Sequence, residues 1–93
     1  MHKENTIKIL KSLAEETRLS IVRKLAEEST EMPGGEIIPS CSAALKLSQP
    51  TMSHHFNKLV ESKVISVRKS GVEKYYSLNK ELLEKIGIDT DKL

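Results

Sequence analysis

The segment Ser48-Gln49-Pro50-Thr51-Met52-Ser53-His54-His55 gathers small hydrogen-bonding side chains around one proline. Gln pairs bidentately with an adenine edge, Ser and Thr hydroxyls adapt to any base, and His donates to guanine N7 or to a phosphate. Lys58 follows His54 by one helical turn, and Arg68, Lys69 and Lys74, with Lys46, add cations suited to phosphates. Such contacts hold a protein on a duplex without reading its sequence. The candidate DNA-binding set is therefore Ser48, Gln49, Thr51, Ser53, His54, His55, Lys58, Arg68, Lys69 and Lys74. The chain has no nucleophile–base–orienter set, paired carboxylate cluster, phosphate loop or metal-ligand spacing, so an enzyme is not expected, nor a cofactor or metal.

Reading a base edge requires a helix whose polar end leads. Pro50 suits the first turn of a helix. Met52, Phe56, Leu59 and Val60 then recur at i, i+4, i+7 and i+8, one apolar stripe. At about 100° per residue, His54 and Lys58 lie nearly opposite that stripe with Thr51 close by, while Ser53 and His55 flank it. A short helix over Ala43–Leu47, capped by Ser40 or Ser42, and a turn at Ser48-Gln49 would precede it, making a helix-turn-helix over about residues 43–62. After Ser62-Lys63 the period changes to two. Ile65 and Val67 alternate with Ser66 and Arg68, Ser70-Gly71 turns the chain, and Val72, Lys74, Tyr76 and Leu78 alternate on the return. This basic hairpin, about residues 64–78, is a wing.

Upstream, Ile7, Leu10 and Leu13-Ala14 predict a first amphipathic helix over Asn5–Leu13, opened by the charged segment Met1–Asn5. Leu19, Val22, Leu25 and Ala26 predict a second over about Thr17–Glu28, with acidic and capping groups at Glu15, Glu16 and Thr17. Met32–Ser40 holds two prolines and two glycines and reads as a loop, with Ile37 and Ile38 tucking back as a short strand. Asn79 caps a last short helix carrying Leu82, Leu83 and Ile86, stopped by Gly87. The expected fold is mainly α with a small β-hairpin: a single winged helix-turn-helix domain over residues 1–93, with about five helices and a two-stranded wing.

Charge is distributed unevenly. Residues 41–80 carry seven Lys/Arg against two Glu, a net of +5, whereas residues 1–40 carry six against seven and residues 81–93 two against four. A basic middle between acidic ends is the electrostatic footprint expected for nucleic acid. A domain of 93 residues buries only roughly 60–65% of its unfolded surface, so a dimer would add apolar burial the monomer lacks. The lone Cys41 cannot form an internal disulfide, which fits a reducing cytosol. The N-terminus lacks a signal-peptide pattern, and no run nears the ~20 apolar residues needed to span a bilayer, so the expected location is cytoplasmic.

Three segments carry a family resemblance. Leu10–Leu19 resembles the "LADPTRLRIL" opening of the ArsR-type family of bacterial winged-helix repressors. Leu47–Phe56 is similar to its "LSQPTVSHHL" recognition helix almost letter for letter, and Glu73–Leu78 to its "VYYSL" wing end. The resemblance covers roughly residues 6–80. It implies a homodimer with its interface on the first and last helices, binding to a near-palindromic operator, and often release by a small-molecule effector. Ile7, Leu10, Leu82, Leu83 and Ile86 are the positions available for that interface. The sequence departs from metal-responsive members, whose Cys-X-Cys pair is here Ser40-Cys41-Ser42, and Asn79–Asp91 has no histidine.

Each residue also has a plainer reading. His54 faces away from the core stripe, whereas His55 on the flank is open to packing or to DNA contact. Cys41 reads as a small buried residue, Arg18 as a structural ion pair or cap, and Pro33-Gly34-Gly35 as a turn. The reading that best unites the residues is a sequence-specific DNA-binding regulator acting as a repressor. The alternative is a winged-helix module that binds protein and prefers no DNA.

Overall fold

The computed structural model describes residues 3–93, with side chains from Asn5 onward; of the charged opening segment, Met1 and His2 lie outside the described residues. The chain forms α1 (Lys3–Ala14), α2 (Glu16–Ala26), β1 (Met32–Pro33), α3 (Gly34–Leu45), α4 (Gln49–Glu61), β2 (Ile65–Ser70), β3 (Glu73–Leu78) and α5 (Lys80–Lys85), then a 3-10 turn at Thr90–Lys92. The strands form one antiparallel sheet in the order β1-β3-β2. The wing is therefore three-stranded at its root rather than two-stranded. Met32 and Pro33 pair with Tyr76 and Tyr75, filling the edge of β3 that the hairpin alone leaves open.

The largest departure from expectation is α3. The stretch read as a loop with a strand at Ile37-Ile38, followed by a helix over Ala43–Leu47, is instead one helix of 12 residues. Gly34, Ile37 and Cys41 are all buried on its inner face, with Leu45 half-buried a turn later. These residues recur at i, i+3, i+7 and i+11, a helical stripe that the Gly and Pro punctuation conceals. Pro39 withdraws one intrahelical donor, and burial of the stripe outweighs that loss. Gly34 is needed for space: a Cβ there would stand 3.0 Å from Cε2 of Tyr76 and 3.3 Å from the Lys74 carbonyl. Neither Ser40 nor Ser42 caps the start. Ser42 works at the other end, where its carbonyl accepts from Leu47 N–H at 3.1 Å and its hydroxyl donates to the Leu47 carbonyl. Lys46, at φ 57°, completes the tight turn into α4.

Met52, Phe56 and Leu59 of α4 are fully buried, as their spacing predicts. The Phe56 ring meets Tyr76 of β3 edge-to-face, with centroids 5.2 Å apart and an interplanar angle of 72°. In β2 only Ile65 is buried, because the hairpin runs out beyond the core. Gly71, at φ +62°, takes the first position of a two-residue loop and Val72 the second, so β3 begins at Glu73 rather than Val72. Asn79 fastens the base of the wing. Its side-chain oxygen accepts from Leu82 N–H, its Nδ2 donates to the Lys63 carbonyl, and its N–H to the Val64 carbonyl.

A polar knot ties α1, α2 and α4 together. Glu15 caps α2 by accepting from Arg18 N–H at 2.8 Å. The Arg18 guanidinium donates from Nε to the Ser12 carbonyl at 3.1 Å and lies 3.4 Å from Nδ1 of His55. That Nδ1 is also 3.7 Å from the Glu15 carboxylate, so it accepts from Arg18 when neutral and pairs with Glu15 when protonated. Of the five residues expected at a dimer interface, Ile7 and Leu10 are 51% and 53% exposed. Leu82 and Ile86 are half-buried. Leu83 is a correction: it is fully buried in the chain's own core and is not offered to a partner.

Two outcomes are expected. Phe56→Ala removes the largest fully buried side chain and should lower unfolding free energy by about 3–5 kcal/mol in urea titrations. Burial of the Glu15 carboxyl raises its pKa, but backbone donation from Arg18 and Thr17 and the charges of His55 and Arg18 outweigh it and hold it below its ordinary value. The ionised form is thus favoured in the fold. Its stabilisation is present above the ordinary carboxylate range and fades as pH falls through the lowered value. Glu15→Gln should therefore cost stability at pH 7 and give a smaller loss of urea midpoint than the parent between pH 5 and pH 3.

Candidate nucleic-acid interface

The recognition face begins at a well-made helix start. Ser48 takes an extended N-cap conformation, and its Oγ accepts from Thr51 N–H at 3.2 Å and donates to Thr51 Oγ1 at 2.9 Å. The Ser48 hydroxyl is thus spent on building the helix, and the Thr51 O–H remains to donate outward. Thr51, His54 and Lys58 are exposed on the side of α4 opposite the buried stripe, and Gln49 is exposed as the first residue of the helix. Asn57 is exposed with them, three residues after His54, and sequence reasoning missed it. The i, i+3 spacing from His54 was the available signal, and Asn pairs with adenine as Gln does. Ser53 is half-buried at the flank.

His55 belongs elsewhere. Its side chain is 16% exposed and turned into the Glu15–Arg18 knot, so its part is to orient α4 from behind. The knot also accounts for Arg18, which is held by α1 and α4.

The wing divides its cations into engaged and free. Arg68 was expected to meet phosphate, but Glu31, just before β1, holds it from 37 residues away. Nε donates at 3.0 Å to one carboxylate oxygen, and a terminal nitrogen of the guanidinium reaches the same oxygen at 2.5 Å. That hydrogen bond keeps the Glu31 carboxyl below its ordinary pKa, and the guanidinium lies 4.6 Å above the Tyr75 ring. Lys69 and Lys74, by contrast, face each other directly across β2 and β3. Like charges in that register oppose the hairpin unless an anion lies between or over them. Lys58 is only loosely engaged, 3.8 Å from an exposed Glu61. Lys46 is exposed at the turn into α4.

Cys41 lines a cleft of about 320 Å³ between α2 and α3, beside Ser20, Lys24 and Ala44. Burial pushes its thiol pKa up against the opposing pull of Lys24, so the thiolate needed for metal binding or oxidation is disfavoured. Among the described residues no group of three His, Cys, Asp or Glu converges as a metal site, and no helix is long and apolar enough to cross a membrane.

The chain's relatives match this geometry. The arsenical resistance operon repressor of Staphylococcus xylosus is 36% identical over 87 residues, covering 89% of this chain and 74% of its own length. The solved structure of the transcriptional repressor PagR of Bacillus anthracis is similar with a TM-score of 0.66 at 32% identity, over 89% of this chain and 88% of that one. The homodimeric winged helix-turn-helix DNA-binding domain of Mb0332 from Mycobacterium bovis shares the fold, with a TM-score of 0.68 at 22% identity over 89% and 71% of the two chains. Residues 15–67, from the α2 cap through the recognition helix into the wing, match the bacterial regulatory proteins of the arsR family, and the chain belongs to that family.

Proposed function

We propose that this protein is a transcriptional repressor that binds a near-palindromic operator as a homodimer. The observation that carries the reading is the exposed face Thr51, His54, Asn57 and Lys58, with Gln49 exposed at the helix start, on a helix whose opposite side is locked into the core. Gln49 and Thr51 lead into the major groove, His54 and Asn57 extend the reading along it, and Lys69 and Lys74 on the wing neutralise phosphates beside it. Membership of the arsR family, and relatives that are themselves repressors, support the same reading.

Ile7 and Leu10 supply the dimer contact, joined at its edge by Leu82 and Ile86. Large apolar side chains left half-exposed on one helix face favour self-association, and the Mb0332 domain of the same fold is homodimeric. A two-fold dimer would present two recognition helices about 34 Å apart to successive major grooves, and so exclude polymerase by bulk. A small effector would release the DNA by favouring a dimer whose two helices no longer match that spacing.

The reading is tested by fluorescence anisotropy with the duplex upstream of the protein's own gene against a scrambled duplex, at two salt concentrations. Tight, salt-sensitive binding that prefers the native duplex is expected; equal, weak binding to both would favour a protein-binding winged helix instead. On the preferred duplex, Gln49→Ala and His54→Ala should each cost about 1–3 kcal/mol and leave binding to the scrambled duplex nearly unchanged. Glu31→Gln releases Arg68 and removes an anion from the wing, so affinity should rise and the salt slope steepen by about one phosphate's worth, near 0.9. An unchanged slope would mean that Arg68 never reaches the backbone.

A further inference from the structure

A second cleft, about 370 Å³, opens between α1 and the last turns of α4. Lys8 and Lys11 border it from α1, Arg18 from the start of α2 and Lys58 from α4, against one carboxylate, Glu61. Charges this one-sided around a concave surface focus positive potential into it. Arg18 is balanced by Glu15 at 4.0 Å and Lys58 by Glu61 at 3.8 Å. Lys8 and Lys11 have no carboxylate partner among the described residues, although they are like charges three apart on one helix. Ser12 and Ser62 also line the cleft, only 8% and 7% exposed. The Ser62 hydroxyl donates to the Leu59 carbonyl, whereas no hydrogen bond among the described residues holds the Ser12 hydroxyl. A hydroxyl and two ammonium groups, none of them paired among the described residues, can together donate to an acceptor with several anionic oxygens.

We propose that this cleft is a phosphate-binding site, and that the phosphate is a backbone phosphate of the duplex whose bases α4 reads. Ammonium groups act as mobile point charges, and it is in this form that lysine binds a phosphate. Lys58 belongs both to the cleft and to the exposed face of α4, one turn and about 6 Å beyond His54. DNA gripped here would be clamped from α1, so its grip would depend on the helix that also bears Ile7 and Leu10. The DNA source of the phosphate rests on the operator-binding reading; the phosphate chemistry of the cleft does not.

The test is the double variant Lys8→Gln/Lys11→Gln, with Arg23→Gln/Lys24→Gln as a control that removes two exposed cations elsewhere. Urea midpoints establish that both fold. On the parent's preferred duplex, the salt slope of the cleft variant should fall by about 0.9 for each phosphate left without its lysine, up to about 1.8, while the ratio of native to scrambled affinity holds. The control should keep the parent's slope. In parallel, the parent without DNA is titrated with inorganic pyrophosphate and followed by amide NMR at Ser12, Lys58 and Ser62. A fallen slope identifies a DNA phosphate. An unchanged slope, with pyrophosphate shifts that vanish in the cleft variant, identifies a free phosphate compound as the ligand and overturns the DNA assignment. An unchanged slope without such shifts, or an equal fall in the control, overturns the site altogether. Should the parent prefer no duplex, the operator reading fails by itself and the pyrophosphate arm still decides the cleft.

Discussion

The edge-to-face contact between Phe56 and Tyr76 is where the recognition helix, the wing and α3 become one rigid object. Tyr76 lies in the middle strand, paired with Met32 on one side and Val67 on the other, so its ring cannot shift without moving all three strands. Phe56 presses on that ring from α4, and Gly34 lies so near it that no side chain fits between. The chain has only three aromatic residues, Phe56, Tyr75 and Tyr76. Two of them form this junction, so no other large ring can take over its packing. The angle at which α4 and the wing approach a ligand together is set here.

The polar knot at His55, the residue before Phe56, complements this apolar junction. Arg18, Glu15 and His55 come from α2, its cap and α4, and Arg18 also grips the last turn of α1 through the Ser12 carbonyl. Half-buried charge pairs contribute modestly to net stability, but a guanidinium with several directional partners restricts the relative rotation of the helices it joins. Helix α4 is thus held from behind by packing near its middle and by hydrogen bonding beside His55. Its exposed residues keep a fixed spacing as a result. Base-edge recognition depends on that fixity, because a bidentate contact tolerates little displacement.

Electrostatics distinguishes the surfaces further. The net of +5 over residues 41–80 overstates what the wing presents, since Arg68 is neutralised by Glu31 and stacked on Tyr75. The positive surface is instead shared among the Lys69–Lys74 pair at the tip, Lys58 on α4, and Lys8 and Lys11 on α1, within residues 1–40 whose net charge is −1. Cys41 fills the inner face of α3 beside Ile37.

Local pattern determined most of the reading helix and the hairpin. The stripe Met52, Phe56, Leu59 and Val60, the proline in the first turn, the switch to period two after Lys63 and the glycine at position 71 each act within one or two turns, so the sequence displays them directly. Four features were decided only by the tertiary structure. Helix α3 forms across two glycines and a proline because the core buries Ile37 and Cys41, a gain that local propensity does not register. Leu83 faces inward, and His55 serves the knot, because partners distant in sequence close around them. Arg68 is engaged by Glu31 because Met32–Pro33 joins the sheet and brings together residues 37 apart, and pairing over that distance leaves no periodic trace in a sequence.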